Sequence, residues 1–154
     1  MNVNECLSDF QFIGSSVRKL EINNNYVYLS EEEWKQAISN IDVNYSIEDI
    51  SKDEENDNIF GIINLNLALS IESSEKKISV LLVLQGCFSG KSSNDGNFKQ
   101  LLSLNGCTAL YSIARSIVAS TLSQCISGRQ IILPMINVFK MVEGNNDKNT
   151  PSMT

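Results

Sequence analysis

Apolar and polar residues alternate with the period of a β-strand in successive stretches of the chain. Over residues 41–48, Ile41, Val43, Tyr45 and Ile47 alternate with Asp42, Asn44, Ser46 and Glu48. Over residues 63–72, Ile63, Leu65, Leu67, Leu69 and Ile71 alternate with Asn64, Asn66, Ala68, Ser70 and Glu72. Each pattern gives a strand one buried and one wetter face, as antiparallel strands have. The short loop 73–77 leads into a third strand over 78–88, which predicts a hairpin. There Val80, Leu81, Leu82, Val83 and Leu84 load both faces, so this strand calls for cover on both sides. A less regular strand over 9–22 brings the expected number to four.

Between the first two strands, residues 25–40 are too long for a hairpin turn. Ser30 followed by Glu33 is a capping box, with Leu29 and Trp34 placed as its hydrophobic staple, and this predicts a helical turn over 31–39. The single tryptophan therefore falls in a crossover segment. In the C-terminal third, Leu110, Ile113, Ala114, Ile117, Val118, Thr121, Leu122 and Cys125 follow the spacing of one helix face. Asn105-Gly106 punctuates the expected start of this helix and Gly128 its end. The opposite face carries Ser112, Ser116, Ala119, Ser120 and Ser123, and Arg115 is the one charge between Asn105 and Gly128. Such a small, uncharged face lets a neighbour approach closely, so it reads as a subunit interface. Arg115 reads as structural, paired with a carboxylate or with carbonyls at a packed surface.

Composition changes the picture by exclusion. The 154 residues, 42% of them hydrophobic and 19% charged, suit one globular domain. The net charge of −6 argues against a nucleic-acid or anionic-membrane binder. With no histidine, Ser-His-Asp sites, Cys-His sites and His-ligated metals are all excluded. The charge is local: residues 31–57 hold ten acids and two bases, leaving +2 elsewhere. Its densest part, 48–57, reads as a solvated loop. Cys6, Cys87, Cys107 and Cys125 stand too far apart for a redox or zinc pair and read as small buried residues of a reduced, cytoplasmic protein. No signal peptide is evident, and the apolar stretch 109–122 is too often interrupted by polar residues to insert in a membrane.

Little else carries chemistry. Gly90-Lys91-Ser92 after a strand is a weak phosphate-loop signal, because the preceding glycine is wrongly spaced and no helix is expected straight after it; turn residues explain it better. Paired carboxylates occur only in the acidic segment, where nothing would separate their pKa values. Cys87 and Cys107 lack a histidine base. No catalytic residue, metal site or cofactor is expected, and a catalytic pocket would need convergent polar groups that the sequence does not offer. What remains is an oligomer that holds something through apolar surface.

Here the residues resemble a known family. The segment from Ala109 to Gln124, followed by Ile132-Leu133-Pro134, is similar to the C-terminal signature of SecB-type protein-export chaperones. Arg115, Ala119, Ser120, Ser123 and Pro134 fall at that family's Ala-Arg, Ala-Ser, Ser and Pro positions. Leu84-Gln85-Gly86 with Phe88, Trp34 in the crossover and Phe10-Gln11-Phe12 in the opening strand extend the resemblance over residues 8–142.

The resemblance implies an α+β fold: a four-stranded antiparallel sheet with a long C-terminal helix and a second, shorter helix. It places one SecB-like domain at 1–143, before a flexible polar tail at 144–154. It implies a homotetramer built as a dimer of dimers, with Ser112, Arg115, Ser116, Ala119 and Ser123 as interface candidates. It also implies an ATP-independent holdase for unfolded polypeptides or preproteins, with Trp34, Phe98, Leu101, Leu102 and Leu104 as candidates for lining the groove. The departures narrow this. Arg18-Lys19 and Leu82-Val83-Leu84 stand near the family's acidic docking positions for the SecA motor, which counts against SecA as a partner. Ser112 replaces the usual proline. Divergent relatives serve as chaperones of an antitoxin in toxin–antitoxin systems, the alternative partner here.

Overall fold

The computed structural model describes residues 8–127 and 129–148. Cys6, Gly128 and the end of the expected tail, 149–154, lie outside the described residues. The strands are β1 (Gln11–Asn24), β2 (Ile38–Asp53), β3 (Asn58–Ser73) and β4 (Lys76–Lys91), all paired antiparallel in the order β1-β4-β3-β2. The four expected strands are therefore present, and a long helix packs on one face with shorter helices beside it. β1 is irregular for a reason: two bulges, between Phe12 and Gly14 and between Val17 and Lys19, break its alternation.

Hairpins join β2 to β3 and β3 to β4. In the latter, Ser73 pairs with Lys76 across a two-residue turn in which Ser74 has φ 54°. The acidic loop expected over 48–57 is mostly strand: β2 runs to Asp53, past a bulge between Ile47 and Asp49, and only residues 54–57 turn. Its acids line an edge strand, where charge discourages unwanted pairing with another chain.

Because β1 and β2 occupy opposite edges, the chain between them crosses the end of the sheet. Within that crossover lies α1 (Glu31–Gln36), three residues shorter than expected. Ser30 caps it: its hydroxyl accepts from the Glu33 amide at 3.2 Å while the Glu33 carboxylate accepts from the Ser30 amide at 2.7 Å.

Asn105-Gly106 does not start the long helix. Helix α2 (Asp95–Leu101) passes through a π-helical turn (Leu102–Gly106) directly into α3 (Cys107–Cys125). Gly106 is buried in that turn beside Phe88 and Ile63. Nor do Gly86 and Gly90 sit in a turn, since β4 continues to Lys91 and the helical segment follows within a few residues. They are where helix meets sheet: a Cβ on Gly86 would lie 2.7 Å from Leu110, and one on Gly90 2.8 Å from Phe98. By length and composition the stretch Gly96–Cys125 could cross a membrane, against the expectation from 109–122, but 44% of its most apolar window is buried in the fold. Leu110, Ala114, Val118 and Leu122 meet Ile63, Leu65, Leu67, Leu82 and Leu84 in one core. The other sheet face is open, and there Leu81 and Val83 stay half-buried among polar residues such as Asn66.

After α3 the chain turns back through residues 129–137, which form no regular element, into α4 (Val138–Lys148), which covers the first part of the expected tail. Leu133 is buried; Arg115 Nε donates to its carbonyl at 3.0 Å, and Tyr111 donates to the Pro134 carbonyl at 2.7 Å. The carbonyl partner expected for Arg115 is thus found.

Candidate functional site

The crossover is pinned at several points. Asn25 accepts from the Lys77 amide at 2.7 Å and donates to the Glu75 carbonyl at 2.9 Å. Lys76 pairs with Glu33 at 2.7 Å and donates to the Tyr28 carbonyl at 3.1 Å. That lysine, foremost, and the Ser30 amide hold the Glu33 carboxyl below its usual range. Tyr28 and Ser127 form a parallel bridge, and the Ser127 amide donates to the Val27 carbonyl at 2.9 Å. The last contact brings the end of α3 beside α1.

Trp34 is half-buried on α1, and the Arg129 guanidinium lies 5.5 Å from its ring centroid. Around them Tyr28, Leu29, Glu31 and Lys35 complete a groove of about 510 Å³. A second groove, about 430 Å³, runs between α2, the π-turn and α4, where Leu104, Phe139 and Val142 supply the apolar lining and Lys99 and Glu143 the charge.

The expected groove residues are therefore divided. Trp34 and Leu104 line grooves, and these are different grooves. Leu101 is half-buried. Phe98 and Leu102 are fully enclosed, packed where Gly61 and Gly90 let the helix approach the sheet.

A third apolar surface was not foreseen. On edge strand β1, Phe12, Val17 and Leu20 pair with Phe88, Leu84 and Leu82, so they face the helix layer, yet they remain 40–46% exposed. The bulges hid this stripe by breaking the two-residue period. Past α3, Ile132 and Met135 in the return segment and Phe139 on α4 are also exposed; nothing periodic marks the first two. Arg129 gave no signal either, since only the Tyr28–Ser127 bridge carries it to Trp34.

On α3, Ser112, Ser116 and Ser123 are exposed, while Arg115 and Ala119 are half-buried. Arg115 lies against the return segment, while Ile113 and Ile117, on the opposite flank at 100° per residue, are half-buried against the core. Burial pushes the Cys107 thiol up to about 12. Among the described residues, no group of three His, Cys, Asp or Glu side chains is placed to hold a metal.

No protein-family model and no curated protein matches the sequence. Among solved structures, the chain is similar to the Mycobacterium tuberculosis Rv1957 SecB-like chaperone, in complex with a ChAD peptide from the Rv1956 HigA1 antitoxin. The TM-score is 0.59 at 10% identity, covering 83% of this chain and 91% of that one. A protein of unknown function from Streptococcus agalactiae is similar with a TM-score of 0.54 at 12% identity, over 82% of this chain and 97% of that one. The edge-to-edge crossover, the antiparallel sheet and the helix layer on one face together give this chain the fold of a SecB-like chaperone.

Proposed function

We propose that the chain is an ATP-independent holdase, a chaperone that binds unfolded or nascent polypeptides through exposed apolar surface. The observation that carries this reading is the combination of a SecB-like fold with apolar surface left uncovered on β1, at Trp34 and along Phe139. Affinity would come from burying client side chains at roughly 25 cal/mol per Å² of apolar surface, with low sequence selectivity. In this reading the protein acts in the cytoplasm as a homo-oligomer, a tetramer built as a dimer of dimers, with the exposed serine face of α3 at its interface. A role in export would require SecA docking, against which Arg18 and Lys19 count. The test is aggregation of a denatured substrate without ATP: suppression at several-fold molar excess is expected, and its absence refutes the proposal.

A second reading keeps the fold and narrows the client to one protein, such as an antitoxin. Its support is that the similar Mycobacterium tuberculosis chaperone was solved with an antitoxin peptide. A pull-down from the native cell distinguishes the two, returning many nascent chains in the first case and one dominant partner in the second.

A further inference from the structure

We infer that the Trp34 groove selects client segments in which an apolar anchor is followed by carboxylates. The inference rests on the holdase reading and adds to it the chemistry of the preferred client. The groove has two aromatic residues, Tyr28 and Trp34, and two cations, Arg129 over the Trp34 ring at 5.5 Å and Lys35 on the same helix as Trp34. Among the described residues neither cation has a carboxylate within ion-pair distance, although the chain carries 18 acids against 12 bases. Glu31 is the one carboxylate lining the groove, and Glu33 on the same short helix is occupied by Lys76. Within the lining two cations thus face one carboxylate, although residues 31–57 as a whole are acidic and Glu32 stands exposed on the same short helix.

Arg129 is exposed, so its guanidinium keeps free N–H donors beyond the ring. A planar guanidinium presents those donors as a fork that matches a carboxylate, while its charge stays over the indole. A client side chain entering the groove between Tyr28, Leu29 and Trp34 would set its next residues beside Arg129 and Lys35. A glutamate or aspartate there gains two charge-assisted contacts against one like charge, Glu31; a lysine there meets two like charges with Glu31 alone of the lining to offset them. The net charge of the protein opposes an acidic client only weakly, because screening at physiological salt acts over about 8 Å. Contacts inside the groove are shorter than that and decide the preference.

The single tryptophan supplies the readout. Tryptophan-free synthetic peptides with one phenylalanine followed by two glutamates, two glutamines or two lysines are titrated against the full chain at physiological salt, following Trp34 emission. The glutamate peptide should bind about two- to tenfold more tightly than the glutamine peptide, from two partly exposed charge contacts, and the lysine peptide more weakly still. In the double variant Arg129→Gln, Lys35→Gln the three affinities should converge on that of the glutamine peptide. Equal binding of the glutamate and glutamine peptides to the native chain, or tightest binding of the lysine peptide, overturns the inference. So does the absence of any emission change with all three. In each case the aggregation assay decides separately whether the holdase reading stands: suppression intact leaves it standing, and suppression absent removes both.

Discussion

Replacing Gly86 by alanine tests whether the helix layer is held by close approach to the sheet. The added Cβ would lie 2.7 Å and 3.2 Å from the two δ-methyls of Leu110 and 2.9 Å from Phe88 Cε2. Carbon atoms rest at about 3.5–4.0 Å, so the nearest contacts are short by most of an ångström. Neither neighbour can give way easily. Leu110 is 0% and Phe88 1% exposed, and the Phe88 ring is stacked against Phe10 with centroids 5.2 Å apart. Overpacking of this kind costs about 1–3 kcal/mol, offset by the roughly 0.4–1 kcal/mol gained when glycine's unfolded freedom is removed. A net loss of about 1–2 kcal/mol is expected. Leu110→Ala alone should cost about 2–5 kcal/mol through the cavity it leaves. The double variant places the new methyl in that cavity, so its loss should fall short of the sum by about 1–2 kcal/mol. Urea unfolding followed by tryptophan emission, at one fixed protein concentration, measures all four corners of the cycle. Additivity within about 0.5 kcal/mol, or a Gly86→Ala protein more stable than the parent, would refute the reasoning.

Other expectations follow from single contacts. Ser30→Ala should destabilise the crossover by about 1 kcal/mol, read as faster amide exchange at Glu33 and Trp34 than in the parent. Glu33 is held below its usual pKa, first by Lys76, so the pair's contribution is present above the unfolded carboxylate value and lost as pH falls through the lowered one. Amide exchange in α1 should accelerate over that acidic window in the parent and not in Glu33→Gln. The Tyr26 hydroxyl is buried without a hydrogen-bond partner among the described residues, so Tyr26→Phe should be neutral or slightly stabilising in urea; a loss above about 1 kcal/mol would contradict this. The Cys107 thiol, raised from 9.0 to about 12 by burial, favours the folded state while neutral and withdraws that contribution as pH climbs through this window. Cys107→Ala should flatten the alkaline loss of stability, and iodoacetamide should label Cys107 only after unfolding.

The strands of the β2–β3–β4 meander were legible because their side chains alternate, and alternation is a local property. The capping box at Ser30 and Glu33 was legible for the same reason: its partners lie three residues apart. The start of the long helix was misplaced because glycine normally breaks helices. Gly106 instead stays inside one, buried in the π-turn beside Phe88 and Ile63, where even a Cβ would sit at ordinary contact distance. The glycines of β4 read as turn residues because their role depends on Leu110 and Phe98, which are distant in sequence. Among the groove candidates, the same apolar spacing describes a residue facing a groove and one facing the sheet, so Leu104 could not be separated from Phe98 and Leu102. The β1 stripe was hidden by bulges whose positions are set by pairing with β4.

By itself, the sequence determined what short-range chemistry can encode: alternating strands, a capped helical turn, an amphipathic long helix and the absence of every histidine-based site. Only the tertiary structure decided which apolar residues are left uncovered. Exposure is a property of what packs on top, and here that depends on β1 taking an edge, on α3 lying over β3 and β4, and on the return segment covering one flank of α3 and not the other. It also set Arg129 over Trp34, which lie 95 positions apart, through a bridge at Tyr28 and Ser127 that no local pattern announces.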